Sequence, residues 1–339
     1  MEQERRSIRI GLAVIACAVV LRLAGSGPVE AVAAFFSQPE VASVLVFLET
    51  GRFVRTGEVS GQTEIPETTA EASQPEQGLS VPQGISFQAE DAQLVEVSAI
   101  CSYDVDVEAM LQAPLAWDLT QGGPTVLILH SHATEGYTKA AGQTYTESSP
   151  YRTLDEQYNV VRVGEYLAEL LQAGGVEVIH DRALHDYPDY SGSYADARKT
   201  IAQYLQTYPS IRMVLDIHRD ALDMSSEIQL STEAVVNGQA SSQLMMVVGT
   251  DAGGSYHPRW QENMALAVKL HTQLEKTHPG ICRPISFRTQ RFNQDLSAGA
   301  MIVEVGAAGD TLEEALTATR ALAEGILALA GGTKADSTS

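Results

Sequence analysis

Residues 125–135 read TVLILHSHATE. The first six form an almost unbroken apolar run closed by a histidine, the pattern of a strand buried on both faces. Working downstream, apolar residues recur at Val160, Val163, Leu167, Leu170 and Leu171, one stripe of a helix, and Gly174-Gly175 ends it. Residues 176–179 read as a second strand. Residues 196–208 read as a helix turning Ala197, Ile201 and Leu205 inward, and residues 211–218 (IRMVLDIH) as a third buried strand. A hairpin follows, with Asn237-Gly238 at or near its turn and residues 244–249 as its return strand. Residues 260–276 form a long amphipathic helix and residues 300–305 (AMIVEV) a further buried strand. Residues 311–329 form a terminal helix, with Thr311 and Glu314 spaced as a capping box. Alternating strands and helices predict an α/β fold, a three-layer sandwich with a largely parallel or mixed sheet and helices on both faces.

In open α/β sheets, ligands sit outside the carboxyl ends of the strands. The first strand ends in His130-Ser131-His132, followed by Glu135. The third ends in Asp216-Ile217-His218-Arg219-Asp220, and the late strand carries Glu304. Histidines and a glutamate from separate strands thus converge on one edge. Catalytic zinc takes three such ligands and keeps a fourth position open, while a further carboxylate can act as general base. Strict alternation along the strand points His130 and His132 the same way, so either could be the ligand. Glu304 lies between Val303 and Val305, where a carboxylate is costly without a partner; a buried salt bridge is its alternative reading. His185 sits in a loop after the second strand, at the expected site rim. His180, His271 and His278 read as structural.

The chain has 339 residues, 44% of them hydrophobic, and a net charge of −21. That balance disfavours nucleic acid, whose phosphates need a basic face. Three cysteines exclude a four-cysteine zinc site and a disulfide-built mini-fold. Arg5, Arg6 and Arg9 precede an apolar run over residues 10–21, and Arg22 interrupts its end. This pattern reads as a membrane anchor, with a cleaved export signal as the alternative; in both the rest of the chain is exported. No Lys or Arg occurs between Arg55 and Lys139, and residues 56–93 are rich in Glu, Gln, Ser, Thr, Pro and Gly. Such a stretch reads as a disordered acidic tether. The expected organisation is therefore an anchor and juxtamembrane segment at 1–55, a linker at 56–93, a catalytic domain at 94–331 and a tail at 332–339.

The phrases VLILHSHATEGY, EYLAELLQAGGVEVIHDRALHDYPDYSGSY, VLDIHRDA, MMVVGTDAG and FNQDLSAGAMIVEVG, in this order and preceded by FLETGR at 47–52, resemble the stage II sporulation protein P family. The resemblance implies a membrane-anchored cell-wall hydrolase acting in engulfment during endospore formation. Its catalytic domain would lie outside the cytoplasm, between mother cell and forespore. It implies a zinc-dependent N-acetylmuramoyl-L-alanine amidase with endopeptidase activity on cross-links, a peptidoglycan substrate, and sporulation proteins D and M as partners. More remotely the chain is similar to type-3 amidases and zinc carboxypeptidases. That likeness implies His132 and His218 as zinc ligands, with His130 an alternate, and Glu304 as the catalytic glutamate. The Gly-His-Gly-Gly motif of the amidases is absent; the carboxypeptidase spacing, three residues after the histidine, puts Glu135 first as the third ligand, with Glu156, near the start of the following helix as in the amidases, as the alternate. Arg219 would steer a stem-peptide carboxylate, or pair with Asp220 or Asp223 instead. Asn293, Gln294 and Asp295 would bind the peptide backbone. Two other readings stand beside the amidase: a zinc peptidase of stem peptides or cross-links, and a non-catalytic wall-binding scaffold.

Overall fold

The computed structural model describes residues 84–225 and 228–333. The anchor expected within 1–55 lies outside the described residues, as does most of the tether. Among the described residues no helix is long and apolar enough to cross a membrane.

A seven-stranded sheet organises the fold. Its strands are β1 (Val97–Ala99), β2 (Val126–Leu129), β3 (Val178–His180), β4 (Met213–Asp220), β9 (Leu244–Val248), β10 (Ile285–Phe287) and β11 (Ala300–Ala307). The spatial order is β1-β10-β9-β11-β4-β2-β3. β11, β4, β2 and β3 run parallel, β9, β10 and β1 form a second parallel block, and the two blocks meet antiparallel at β11 and β9. Two short ribbons, β5 (Asp223–Ser225) with β6 (Ile228–Gln229) and β7 (Ala234–Val236) with β8 (Gln239–Ser241), lie outside it. The Asn237-Gly238 turn closes the β7–β8 ribbon, both residues at positive φ (51° and 81°). The return strand of that hairpin is thus β8, and residues 244–248 join the main sheet instead. A two-residue turn with both central residues left-handed allows immediate reversal, so the chain turns back before residue 244.

The helices are α1 (Val107–Gln112), α2 (Val160–Ala173), α3 (Ser193–Thr207), α4 (Trp260–Thr277) and α5 (Leu312–Leu329). Asn159 caps α2 by accepting from the Val161 amide at 2.9 Å, and Thr311 and Glu314 form the expected capping box on α5. α2, α4 and α5 bury one sheet face, where Ile128, Met213, Leu215, Ile217, Met301, Val303 and Val305 join the main core. On the other face α3 packs Ala197 and Ile201 against Leu127, Leu129, Val214 and Ala300. Strand alternation therefore sends Asp216 and His218 to the α3 face, along with Glu304.

The folded unit is wider than the composition suggests. Residues 84–93, placed in the tether by their acidity, pack onto it instead. Phe87 is buried, Asp91 pairs with Lys276 at 2.8 Å, and Ile85 bridges Thr333. An aromatic and a paired carboxylate offset the ordering cost that a purely polar stretch could not.

Candidate metal centre

Three predicted ligands come together. Single atoms of His132, Glu135 and His218 lie within 4.8 Å of one another. His132 Nδ1 is 3.4 Å from Glu135 Oε1, and His218 Nδ1 is 3.3 Å from Glu135 Oε2. Two ligands of a tetrahedral zinc with bonds near 2 Å stand about 3.4 Å apart, so the spacing fits. The chemistry fits as well, with two imidazoles and a carboxylate.

Each of these side chains is placed by a local feature. β2 ends at Leu129, so the alternation expected through residue 132 stops there. His130 stays with the main core, its Nδ1 2.9 Å from the Ile217 carbonyl and its Nε2 2.9 Å from His180 Nε2. Gly164 on α2 makes room for this pair, since a Cβ there would sit 2.6 Å from the His130 ring. Burial and the neighbouring His180 lower the His130 pKa to about 3. The turn that follows swings His132 and Glu135 to the α3 face. The Glu135 backbone bridges Arg152 and that of Gly136 bridges Asn159, and the Arg152 side chain reaches Glu135 Oε1 at 3.3 Å and Asp186 at 2.8 Å. Glu156 does not join the cluster; it pairs with Arg182.

His218 presents Nδ1 to the cluster because Asp216 holds its Nε2 at 2.9 Å. Asp216 also accepts from the Ser131 amide at 2.7 Å and hydroxyl at 2.5 Å, tying the β2 turn to β4. Burial alone would depress His218, but the Asp216 carboxylate, with Tyr194 and Glu135, holds its pKa well above the ordinary value. Burial would raise Glu135; His218, His132 and Arg219 outweigh it and hold the carboxyl well below the usual range. Without a metal, a protonated His218, with Arg152 and Arg219, balances the two buried carboxylates; two imidazoles and a carboxylate are also the donor set of a divalent-cation site.

Glu304 stands opposite His218 in the β11–β4 register. Its Oε2 is buried without a hydrogen-bond partner. Burial and the Asp220 carboxylate push its pKa up to about 8. The register shifts just beyond it, between Glu304 and Ala307. There the Asp310 carboxylate accepts from the Ala307 amide at 2.6 Å, and the Tyr137 hydroxyl donates to the Val305 carbonyl at 3.0 Å. A buried acid held above its normal pKa beside a metal-type cluster has the properties of a general base and acid.

The other sequence candidates are placed differently. Arg219 is buried, and its guanidinium donates to the Gly136 and Tyr151 carbonyls at 2.8 and 2.9 Å; it fixes the loop that carries Glu135. Gln294 is also buried, bonding Gly249 N and Val247 O across the strand ends. Asp295 takes the Arg198 guanidinium through both oxygens. Asn293 donates to the Tyr194 carbonyl at 2.7 Å. His185 faces Asp181 at 3.1 Å. Cys101 and Cys282 are not joined by a disulfide.

Sequence reasoning missed the aromatic frame. Tyr190 stacks on His132 with ring centroids 4.7 Å apart, and Tyr194 meets the His132 ring at 5.3 Å and lies 6.4 Å from that of His218. Arg152 sits over Tyr190 at 4.8 Å. It also passed over Asp216, although an Asp-x-His on a strand puts both side chains on one face.

A family model described as Stage II sporulation protein P matches residues 54–327, and the chain belongs to that family. Stage II sporulation protein P of Bacillus subtilis (strain 168) is 26% identical over 210 residues, which cover 59% of this chain and 49% of that protein. The match thus spans about half the length of this curated relative. Among solved structures, the N-acetylmuramoyl-L-alanine amidase AmiC2 of Nostoc punctiforme is similar at a TM-score of 0.36 and 14% identity, over 60% of this chain and 96% of that one. The CwlD amidase of Clostridioides difficile, in complex with the GerS lipoprotein, is similar at 0.36 and 12%, over 60% and 96%. The amidase Ami1 of Mycobacterium smegmatis is similar at 0.35 and 13%, over 62% and 96%.

Proposed function

We propose that this protein is a zinc-dependent peptidoglycan hydrolase, an N-acetylmuramoyl-L-alanine amidase that degrades wall during endospore formation. The observation that carries the reading is the His132–Glu135–His218 cluster with Glu304 opposite His218, its Oε2 buried without a partner. Membership of the sporulation family supports a sporulation wall hydrolase; an exported domain tethered at the membrane by its N-terminus, between mother cell and forespore, with sporulation proteins D and M as partners, is part of this proposal.

His132, Glu135 and His218 would hold the ion. When bound, zinc acts as a Lewis acid that polarises the scissile carbonyl and lowers the pKa of the attacking water. Asp216 holds His218 Nε2, leaving Nδ1 beside Glu135, where it would bind the ion. Arg152 braces Glu135, and Tyr190 covers the His132 ring. Glu304 takes a proton from the water as its oxygen adds to the lactyl carbonyl carbon. The carbon–nitrogen bond to L-alanine then breaks, and Glu304 gives that proton to the leaving nitrogen. The products are a lactyl carboxylate and a free peptide amine.

The test is to incubate the full chain, in mild detergent, with zinc and isolated peptidoglycan and to identify products by mass spectrometry. His218→Ala and Glu304→Gln run in parallel. Free stem peptides beginning at L-alanine, lost in both variants, are the expected result. Cleaved cross-links without free stem peptides would make the protein an endopeptidase. An intact wall with no bound zinc would refute the metal-centre argument.

A further inference from the structure

Beside the cluster lies a cleft of about 580 Å³, within the range of small-ligand sites. Tyr194 is the wall the two share. Its ring meets His132 on one side, and on the other lies 5.8 Å from Phe292, which lines the cleft. A peptide residue spans about 3.5 Å, so a substrate with its scissile amide at the cluster reaches the cleft within two or three residues.

The charge of this cleft is opposite to that of the chain. The protein carries −21, yet the charged residues lining the cleft are Arg198 and Arg291, with no carboxylate among them. Asp295 lies beneath, largely buried, and is committed to Arg198 through two bonds of 2.8 and 2.7 Å. Arg291 approaches the same carboxylate only through Nε, at 3.6 Å. Among the described residues no acceptor pairs with its terminal nitrogens. One carboxylate between two guanidiniums leaves one net positive charge, and Arg291 is a third exposed.

The cleft is also rigidly built. Phe292 and Asn293 both hold positive φ, 48° and 61°, a conformation that costs non-glycine residues energy and persists only where contacts enforce it. The enforcing contacts are present. Asn293 donates to the Tyr194 carbonyl. Gly249 and Gly253 let the 289–291 backbone approach so closely that a Cβ would sit 2.1 Å from the Gln290 oxygen or 2.7 Å from the Thr289 oxygen. A guanidinium held by a fixed loop suits two-point recognition of a carboxylate.

We infer that this cleft binds the peptide leaving group and that Arg291 recognises a free carboxylate on it. This role was expected of Arg219, which is buried elsewhere. The inference rests on the wall-hydrolase reading and makes it narrower. In a wall stem, the carboxylate nearest the lactyl amide belongs to the second residue, so the enzyme discriminates a stem with a free acid there from one amidated at that position.

The test is calorimetric titration of the full chain with L-alanyl-γ-D-glutamyl-L-lysine amide and with its isoglutamine counterpart, which differ by that one carboxylate. A charge-assisted contact gives about tenfold or greater preference for the acid. Arg291→Gln abolishes the preference and Arg291→Lys restores part of it, with thermal melts confirming that both variants fold. Equal affinity of the two peptides for the unaltered protein, binding of neither, or a preference that survives in Arg291→Gln overturns the inference. Hydrolysis is read separately on the matching muramoyl peptides with zinc. Absence of cleavage with the binding preference intact sinks the hydrolase reading and leaves the carboxylate subsite standing.

Discussion

Replacing Asp216 by Asn isolates the support of the centre from its ligands. The Asp216 carboxylate accepts three bonds: one oxygen takes His218 Nε2 at 2.9 Å and the Ser131 amide at 2.7 Å, the other the Ser131 hydroxyl at 2.5 Å. An amide keeps one acceptor and adds a donor. The NH₂ must then face either the Ser131 hydroxyl, which can rotate to accept, or the Ser131 amide and the His218 N–H, which cannot. The first arrangement spares the fold but still removes the negative charge behind His218. Loss of a buried partner of this kind costs about 10- to 100-fold in metal affinity, or about 1.4–2.7 kcal/mol. At fixed zinc well above both dissociation constants, the stabilisation that zinc confers on folding falls by the same amount. Competition with a chromophoric chelator reads the affinity, and denaturant unfolding with and without zinc reads the stability. An Asp216→Asn variant that binds zinc as tightly as the parent refutes the role given to Asp216. So does a variant whose loss is fully reproduced by Ser131→Ala, because that change leaves the carboxylate in place.

Three other outcomes follow from the same geometry. Glu304→Gln keeps zinc affinity close to the parent value, because Glu304 is not among the clustered ligands, while turnover falls by about 10²–10⁴; single-turnover assays on muramoyl peptide check this. Arg152→Gln removes the brace on Glu135 and the cation over Tyr190, and weakens zinc by about tenfold in the same chelator competition. Lys269 is fully buried, bonds the Met110 carbonyl, and has its pKa lowered by burial to about 8. Between that value and its unfolded value the unfolded chain binds more protons, so this group makes stability rise with pH, by about 3 kcal/mol in all from roughly pH 8 to 10.5. Lys269→Met lacks that rise, which denaturant unfolding at several pH values measures; parallel curves for variant and parent would show that Lys269 titrates normally.

The parts of the fold that were legible in sequence are those where one local signal dominates. The β2, β4 and β11 runs are mostly apolar, and α2 and α5 carry their own caps, so their type and place follow from periodicity and end chemistry. β1 and β10 span only three residues each. Strands so short carry no periodic signal, and they exist because β9 offers β10 an edge and β10 in turn offers one to β1. The reversal of that half of the sheet was equally hidden, since direction depends on where a chain crosses, not on which residues it contains.

The site divides along the same line. His132, His218 and Glu304 stand out as candidates because each sits at or near the end of a strong strand. Only its spacing three residues after His132 places Glu135 ahead of Glu156 in the sequence; the contacts that separate the two, Arg182 pairing with Glu156 and Arg152 bracing Glu135, join distant segments and leave no local signal. His130 shows why spacing misleads at such a place. Two residues before His132 it would share a face only if the strand continued, but β2 stops at Leu129. The backbone that leaves the ladder there is secured by the Ser131 bonds to Asp216. Asp216 therefore does two things with one carboxylate: it holds the turn that frees His132 from the core-facing register of Ile128 and His130, and it orients His218 in the cluster. An apolar residue at position 216 would fit the strand pattern better and would cost the chain both functions, which is the physical reason a buried acid interrupts the otherwise apolar run of β4.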